Sequence, residues 1–562
     1  MTLVPAPLQI FLSWALLLPS LYGIGFAVAR VLPGPPELLE SSLAFWLGIT
    51  ATCAILVAWH LFFPIDGWVW AVLGPIAAAG LLLELRRRKG TFAVRLRERW
   101  VLAFFLAAFA FRLAARAALP LSFPDDGLYY TQTVRWYALY PAVPGLGNLN
   151  PSLAFNNAFH LLVPAFGVGP LASQGHHVAN GLLLLAVVAA CASGLFRLLN
   201  PRTKPTAADF LAAFLLGPAL DFSDSTELSS PAADLAVHMF GTALLLAGLR
   251  PVLEGASMGA RRLAAVLTAC AGAVILKQSL VCVALPVAAF AAIHWMVSQR
   301  PRAPELRRML LFGVSAALLI VAPWMAHSVV LSGYPLYPSP FAGVDVPWRM
   351  DRTVVVAMYD WVHAFARWPG HFDTEVVEKG WMARWFQREW LNNRAFLLPA
   401  ALAVAGAVTM GAALLAGRRP LRSLLAALAP LAGGIAMWWG LAPDTRFAGP
   451  LLWGFAGMLA LAAASAWQPA LTGRLRVAAA AGALAVAAGA YIGGSPFFLW
   501  QNEFPPARHN EDVEKVRIAS GEIVDVSRKA CWDPPCAFAP LDPRLRLRKP
   551  GDWSSGFTLQ PP

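Results

Sequence analysis

The sequence is poor in charge and rich in hydrocarbon. Only 13% of its 562 residues are Asp, Glu, Lys or Arg, whereas 58% are hydrophobic, and the mean hydropathy is +0.58. Soluble globular proteins carry roughly 25% charged residues, so this composition excludes that class. It predicts a polytopic protein whose helices cross a membrane.

Acidic residues are scarcer than basic ones, with 31 Asp and Glu against 44 Lys and Arg and a formal charge of +13. The basic residues form short clusters between apolar runs, as at 86–89 and 417–419. Such clusters are typical of cytoplasmic loops, not of a nucleic-acid-binding patch. We therefore expect no nucleic-acid partner, and we place the polar segments between the clusters on the exoplasmic side.

Nucleotide-binding signatures are missing too. Neither GxxxxGK[ST] nor a strand-borne GxGxxG occurs, and no cytoplasmic segment is long enough for a nucleotide-binding domain. Any activated substrate must then arrive through the membrane or from its exoplasmic side. The N-terminus lacks the basic residues of a cleavable signal peptide, so we expect the first apolar run to remain as a transmembrane helix.

Cysteine is rare, and most of the cysteines lie in apolar surroundings. Four of the six residues lie inside apolar runs, where a free Cys packs as a small hydrophobe, namely Cys53, Cys191, Cys270 and Cys282. Cys531 and Cys536 lie in the polar tail as CWDPPC. An oxidising periplasm favours a disulfide there, and a metal pair is the weaker alternative because no His or further Cys lies close.

About fourteen apolar runs approach the ~20 residues that cross a bilayer. They are 8–30, 41–62, 67–85, 99–120, 175–197, 207–220, 233–249, 263–276, 279–297, 309–328, 393–416, 423–441, 446–466 and 474–493. The runs at 207–220 and 263–276 are short, and the two that flank Lys277 could form one broken helix. We predict an all-α polytopic bundle of about 12–14 transmembrane helices.

The predicted organisation has five parts. They are N-terminal helices at 1–98, a core at 99–328 with a first exoplasmic loop at 121–174, a Trp-rich exoplasmic loop at 329–392, C-terminal helices at 393–493 and a periplasmic tail at 494–562. Tryptophan at the density of the 329–392 loop fits either an interfacial belt or a sugar-stacking platform.

The first exoplasmic loop opens with FPDDGLYY, which places Asp125 and Asp126 directly after an apolar helix. They either form a solvated acidic turn or supply a catalytic carboxylate. Aromatic residues follow at helical spacing from Tyr129 to Tyr137, which predicts an amphipathic helix on the membrane surface. Such a helix would hold a carboxylate at the mouth of a cavity.

Further polar residues fall at exoplasmic ends of spans. Arg112 and Arg116 share one helix face and either snorkel to lipid or meet a phosphate. Asp234 follows Ser-Ser-Pro, which is also good helix N-terminal chemistry. Lys277 interrupts an apolar run, either as a functional cation or in a structural salt bridge. Arg446 either pairs with a neighbouring aspartate or faces a phosphate or sugar.

Several short segments in a fixed order resemble the GT-C superfamily of polytopic glycosyltransferases, which includes protein O-mannosyltransferases and oligosaccharyltransferases. The closer resemblance is to a group of bacterial GT-C-like membrane proteins. The segments are DDGLYY, PAVPGLGNL, FNNAF, SSPAADL, ILKQS, LSGYPLYP, APDTRFA and CWDPPC. Tyr130 departs from the pattern, because a His is more usual at that position in this group.

The resemblance implies a membrane-embedded glycosyltransferase of the bacterial inner membrane, with its active site and tail in the periplasm. The donor would be a polyprenyl-phosphate sugar and the acceptor a glycan, lipid or protein hydroxyl. It implies three groups of site residues: catalytic Asp125, Asp126 and Asp234; phosphate-binding Arg112, Arg116, Lys277 and Arg446; and substrate-binding Tyr129, Tyr130, Asn156, His160, Tyr334 and Tyr337. Asp125 is the expected base, and the aspartate pair admits a divalent cation without requiring one.

Two other classes also fit a polytopic protein with these loops. A flippase or transporter of lipid-linked sugars would show repeat-related halves and charges near the bilayer midplane. A polymer ligase or acyltransferase of the cell envelope would use a lipid-linked or acyl donor. The position of the acids at the exoplasmic surface favours the transferase.

Overall fold

The chain folds as a mostly helical body with a small β unit at its C-terminal end. The computed structural model describes residues 4–35, 39–87, 100–369, 374–467, 482 and 501–560. The helices, in chain order α1 to α19, are Ala6–Val31, Ser41–His60, Trp70–Arg87, Trp100–Ala117, Tyr130–Leu139, Leu146–Leu149, Phe159–Phe166, His176–Leu199, Ala207–Asp221, Asp234–Leu253, Ala260–Leu276, Val281–Gln299, Ala303–Ser332, Arg352–Arg367, Thr374–Asn392, Arg394–Leu415, Arg422–Leu441, Thr445–Ala448 and Leu451–Trp467.

Within these residues, ten helices are long and apolar enough to cross a membrane, which confirms a multi-pass membrane protein. The shorter helices α9, α11 and α19 coincide with three further predicted spans. The predicted span at 474–493 lies outside the described residues.

The region around Lys277 contains two helices and not one broken helix. Helix α11 ends at Leu276, and Lys277 is extended with φ −155° and ψ 129°. A short 3-10 turn over Gln278–Leu280 leads into α12, which packs back against α11. The backbone N–H of Lys277 still bonds the carbonyl of Ala273 at 3.2 Å. The turn therefore presents Lys277 at one end of the bundle, where both helices stop.

Small residues bring the first helices into close contact. A Cβ atom added to Gly25 of α1 would lie 1.7 Å from the carbonyl oxygen of Ala44 in α2, and one added to Gly48 of α2 would lie 2.0 Å from that of Leu21. Helices in a membrane associate through such close packing, because lipid offers no hydrophobic driving force between them. These glycines fix how α1 and α2 cross.

One end of the bundle collects basic turns, and we call it the basic end. Arg261 donates to the carbonyl of Gly34 at 3.3 Å, and Arg262 pairs with Glu40 at 2.9 Å. Arg418 donates to the carbonyl of Trp467 at 3.1 Å. Turns that are remote in sequence thus meet on the side for which the sequence predicts a cytoplasmic location.

The opposite end collects the polar loops, and we call it the loop end. It comprises residues 121–174, 221–232, 277–280, 333–351, 442–449 and 501–560. Ala158 N–H donates to the carbonyl of Ile275 at 3.0 Å, and the Gln278 amide donates to the carbonyl of Tyr337 at 3.0 Å. Three of the segments that carry predicted site residues, 121–174, 277–280 and 333–351, therefore share this end.

The Trp-rich segment at 329–392 is largely helical, with α14 and α15 after an irregular stretch. Trp385 is 1% exposed and packs against Trp438 and Trp439 with ring centroids 6.0 and 4.8 Å apart. Its indole N–H donates to the carbonyl of Pro443. At Trp385 the tryptophan density serves packing between α15 and α17 and not sugar stacking, whereas Trp361 and Trp390 stay partly exposed.

The C-terminal tail contains β structure that the all-α prediction omitted. A three-stranded sheet has the order β1 Glu511–Arg517, β2 Ile523–Ala530 and β3 Cys536–Phe538, with β1 antiparallel and β3 parallel to β2. Strands β4 Leu545–Leu547 and β5 Phe557–Leu559 form an antiparallel pair. Strands β3, β4 and β5 have only 3 residues each, too few for an alternating pattern to show in the sequence.

This β unit covers α5, which the sequence placed on the membrane surface. Gln132 donates to the carbonyl of Cys536 at 3.0 Å, and the rings of Trp136 and Phe557 lie 6.0 Å apart. Arg135 forms an ion pair with Asp533. The amphipathic face of α5 is therefore buried between the helical body and the β unit, because the tail supplies the apolar cover that the sequence pattern assigns to lipid.

Candidate functional site

The FPDDG segment forms a tight 3-10 turn under the β unit. Residues Pro124–Asp126 make the turn, and the carbonyl of Gly127 accepts a hydrogen bond from Cys531 N–H at 2.7 Å. A Cβ atom at Gly127 would lie 2.8 Å from the Trp532 ring. Glycine at this position is therefore required by the close approach of the tail, and the tail fixes the orientation of the two aspartates.

Asp126 is fully buried and held at both carboxyl oxygens. One oxygen accepts the backbone N–H of Phe123 at 3.0 Å, and the other accepts the hydroxyl of Ser230. Burial raises the pKa of Asp126 to about 7, although both hydrogen bonds favour the charged form. Asp126 ties the turn to the segment before α10 and has no opening towards a substrate.

Asp125 is only half-buried and faces a group of charged side chains. Burial raises its pKa, the nearby Arg446 and Lys277 lower it, and Asp234 raises it. A hydrogen bond from Tyr130 also favours its charged form. The structure thus gives adjacent aspartates different surroundings, and the one that could meet a ligand is Asp125.

Asp234 and Lys277 form a buried ion pair. The Lys277 ammonium donates to Oδ1 of Asp234, and the two side chains are 13% and 3% exposed. Asp234 also occupies the first turn of α10, so the helix N-terminus favours its negative charge. Of the two alternatives for Lys277, the salt bridge is present, and it lies within the same cluster as Asp125.

Arg446 is also a cation paired with a carboxylate, but it is more exposed than Lys277. Its guanidinium reaches both carboxyl oxygens of Asp444 at 3.3 Å, and its side chain is 36% exposed. Burial would lower the pKa of Arg446, but the carboxylates of Asp444, Asp234 and Asp125 raise it above its usual value. Among the predicted phosphate-binding cations, Arg446 combines a position near Asp125 with access for a ligand.

Arg112 and Arg116 meet a carboxylate that sequence reasoning did not consider. Arg112 donates to both carboxyl oxygens of Asp224 at 3.0 and 3.1 Å and to Ser223 at 3.0 Å. Arg116 approaches Asp224 at 3.3 Å. Asp224 thus engages both arginines within the fold, so we do not include these two arginines among the phosphate-binding groups.

Two further polar residues were missed. Glu227 accepts the N–H of Leu235 at the start of α10, and burial together with the Asp234 charge raises the pKa of Glu227 to about 8. The Asn180 amide donates to the carbonyls of Glu227 and Ser230 at 2.9 and 3.0 Å. The sequence feature that could have identified Glu227 is its position as an acidic residue in TELSSPAAD, close to Asp234.

His160 lies beside this cluster, with its ring 5.3 Å from that of Tyr130. It is fully buried, and neither ring nitrogen has a hydrogen-bond partner. Burial and the Lys277 ammonium lower the pKa of His160 to about 3, so the imidazole is neutral. The ring of Tyr129 lies 4.4 Å from that of Tyr130, tilted by 55°. The structure brings these three residues together, and their role in substrate binding stays a prediction.

Three other predicted substrate-binding residues bond to the framework instead. Asn156 donates to the carbonyl of Trp324 at 2.7 Å and accepts from His327 at 2.9 Å. The hydroxyl of Tyr337 donates to the carbonyl of Pro151 at 2.9 Å, and that of Tyr334 to the carbonyl of Met350 at 3.4 Å. Their side chains hold loops in place rather than line the cluster.

The two aspartates do not converge as metal ligands. Asp126 is engaged by Ser230 and Phe123, whereas Asp125 faces Arg446 and Lys277. Over the ranges that the structure describes, no group of three His, Cys, Asp or Glu side chains could hold a metal ion. A divalent cation would have to be bound by Asp125 with groups that come from a substrate.

The two tail cysteines are joined in the structure. Cys531 and Cys536 form a disulfide with their Cα atoms 5.5 Å apart, while the other four cysteines are free and buried. The disulfide closes the CWDPPC loop whose first residue bonds Gly127, so it supports the contact that orients the FPDDG turn.

Fold and site define a multi-pass helical membrane protein with a buried cluster of carboxyl, tyrosine, imidazole and cationic groups at one end. A family model described as a domain of unknown function, DUF8201, matches residues 8–453. The protein therefore belongs to this family, and the match ends before the β unit. No curated protein and no solved structure matches the chain.

Proposed function

We propose that this protein is a GT-C-type glycosyltransferase of a bacterial inner membrane. It transfers a sugar from a polyprenyl-phosphate donor to an acceptor hydroxyl on the periplasmic face, where we place the loop end. The observation that carries the proposal is the half-buried Asp125 beside Arg446 and Lys277. A base and cations are the two kinds of group that this reaction needs within one site.

In the proposed reaction the base and the cations have separate roles. The acceptor oxygen attacks the anomeric carbon of the donor while Asp125 takes the hydroxyl proton. The bond between the anomeric carbon and the phosphate oxygen breaks, and the electron pair leaves with polyprenyl phosphate. Arg446, and Lys277 behind it, stabilise the growing phosphate charge. The burial that raises the pKa of Asp125 makes it a stronger base than an exposed aspartate.

The substrate wall supports this division of labour. His160 presents a neutral imidazole with both nitrogens unpartnered in a buried setting. His160 and Tyr130 are 0% and 2% exposed, so they support the wall from behind and do not themselves touch a sugar. Tyr129 and Tyr130 add aromatic surface beside it. The sugar would therefore lie against Tyr129, which is partly exposed, beside Asp125.

A route for the lipid chain lies next to the cations. An apolar groove of about 500 Å³ runs between α11, α12 and α13. Its lining includes Val274 and Val281, which flank Lys277, and extends to Trp295 towards the basic end. From Val281 to Trp295, at 1.5 Å per helical residue, the groove covers roughly 20 Å of the ~30 Å hydrocarbon core. A polyprenyl chain in this groove would bring its phosphate to Lys277 and Arg446.

The test compares two neighbouring carboxylates in proteoliposomes supplied with radiolabelled polyprenyl-phosphate monosaccharides. Asp125→Asn should bind donor but lower sugar release by roughly 10²- to 10⁴-fold, the usual effect of losing a general base. Asp126→Asn is the matched control and should retain measurable turnover, because its neutral form already fits its buried position. Wild-type turnover by Asp125→Asn would refute the assignment, and movement of intact donor across the bilayer would favour a flippase.

A further inference from the structure

One side of α15 carries a stripe of exposed apolar side chains. Met382, Phe386 and Trp390 recur every four residues and are 55%, 46% and 44% exposed. Residues four apart lie one above the other on a helix surface. The three side chains therefore form one continuous apolar surface, for which water is an unfavourable neighbour.

The rest of α15 divides into a buried face and a polar face. Trp385 and Glu389 turn inwards and are 1% and 2% exposed. Arg384 and Gln387 are polar and exposed. At 3.6 residues per turn the stripe lies between these two faces. A helix that lies at a membrane surface has such a division, with an apolar side towards lipid and a polar side towards water.

The stripe meets the ends of two spanning helices. Asn393 alone separates α15 from α16, and the Trp390 ring lies 6.3 Å from that of Phe396 in the first turn of α16. The Phe386 ring lies 5.9 Å from that of Trp439, close to the loop end of α17. Both α16 and α17 are long and apolar enough to cross the membrane, and only a minority of their residues are buried. The stripe is therefore continuous with a surface that faces lipid.

The tryptophans and arginines around the stripe suit the depth of lipid headgroups. Trp390 lies at the end of the stripe nearest α16, and Arg394 is the exposed first residue of α16. The Arg384 guanidinium lies 3.8 Å from the centre of the Trp368 ring. Indole rings are enriched at this depth, and arginines extend from it towards lipid phosphates. Because lipid already surrounds α16 and α17 beside the stripe, the bilayer is the occupant that fits.

We infer that α15 lies along the membrane surface at the loop end, with its apolar stripe among the lipid chains. Gln387 and Arg384 then face water. Trp390 belongs to an interfacial belt and not to a sugar-stacking platform. The partner of this surface is the lipid bilayer, so neither a sugar nor a second protein is needed to cover it.

Helix α15 also holds the segment that carries Arg446. The indole N–H of Trp385 donates to the carbonyl of Pro443, and the Asn393 amide donates to the hydroxyl of Thr445 at 2.9 Å. The bilayer therefore sets the depth of Arg446 relative to a lipid-linked phosphate. This consequence rests on the proposed function, whereas the membrane position of α15 does not.

The test places a nitroxide spin label at Met382→Cys, at Phe386→Cys or, as the matched control, at Gln387→Cys. The full-length protein is reconstituted in phosphatidylcholine nanodiscs. Electron paramagnetic resonance then compares collisions with oxygen, which concentrates in hydrocarbon, and with a water-soluble nickel chelate. The oxygen-to-nickel ratio of the first two variants should exceed that of Gln387→Cys by roughly fivefold or more, because the apolar side of an interfacial helix lies below the headgroups.

The four native free cysteines are buried, so the wild type treated with the same reagent corrects for residual labelling. If Phe386→Cys fails to fold because it loses its contact with Trp439, Met382→Cys alone decides. Equal ratios at the stripe and at Gln387→Cys would show that the stripe faces water and would overturn the inference. Few collisions with either reagent at the stripe would show a protein partner and would overturn it as well. No donor or acceptor is present, so a protein that transfers no sugar would leave this result unchanged.

Discussion

Replacing Asp126 by Asn removes a carboxyl group that the fold prefers in its neutral form. In the native protein burial raises the pKa of Asp126 from 3.8 to about 7. A group whose pKa is higher in the folded than in the unfolded state contributes its full stability below the unfolded pKa. That contribution is lost as the pH rises through the folded pKa. The wild type should therefore lose stability between about pH 4 and pH 7.

The size of the effect follows from the two pKa values. Each pKa unit corresponds to about 1.4 kcal/mol, so the loss has an upper limit of about 4 kcal/mol. Asn resembles the protonated carboxyl, since one group can accept the Phe123 N–H while the other donates to Ser230. The variant should match the wild type near pH 4.5 and be more stable than it at pH 8.

Thermal unfolding in detergent micelles, followed by the fluorescence of the 22 tryptophans, measures this difference. The midpoint of Asp126→Asn minus that of the wild type should grow from pH 4.5 to pH 8. Asp345→Asn is the control, because the Asp345 side chain is 99% exposed, and its difference should stay flat. A flat difference for Asp126→Asn as well would show that Asp126 is not buried between the turn and Ser230, and the reasoning would fail.

Three further predictions concern the groups that hold the site. Lys277→Met leaves the Asp234 carboxylate buried without its partner and should cost about 3–5 kcal/mol. The double variant with Asp234→Asn should recover part of this loss in the same unfolding assay. Arg112→Lys offers one nitrogen where the guanidinium uses two, one for Asp224 and one for Ser223, so its unfolding temperature should fall, whereas an unchanged value would refute the structural role of these contacts. The double change Cys531→Ser and Cys536→Ser should destabilise the β unit by about 2 kcal/mol, the loop-closure value for so short a loop, which limited proteolysis of the tail would detect.

The sequence determined the class of the protein because hydrophobic length is a local property. Each apolar run contains enough information to predict a helix, and the basic clusters separate the two ends of the bundle. Local reasoning also selected FPDDGLYY, since a pair of carboxylates after an apolar helix is unusual in any context. It also placed Asp125, Lys277 and Arg446 where spans end, and in the structure these side chains are electrostatic neighbours.

Tertiary structure alone decided which carboxylate meets which partner. Asp125 and Asp126 have the same chemistry and adjacent positions, but the hydroxyl of Ser230, about a hundred residues away, holds Asp126 inside the fold, while Asp125 stays partly exposed. The partner of Arg112 is Asp224, more than a hundred residues away. A residue pattern records hydrophobicity and helical period, whereas these pairings depend on how separate segments pack, so they could be found only in the folded chain.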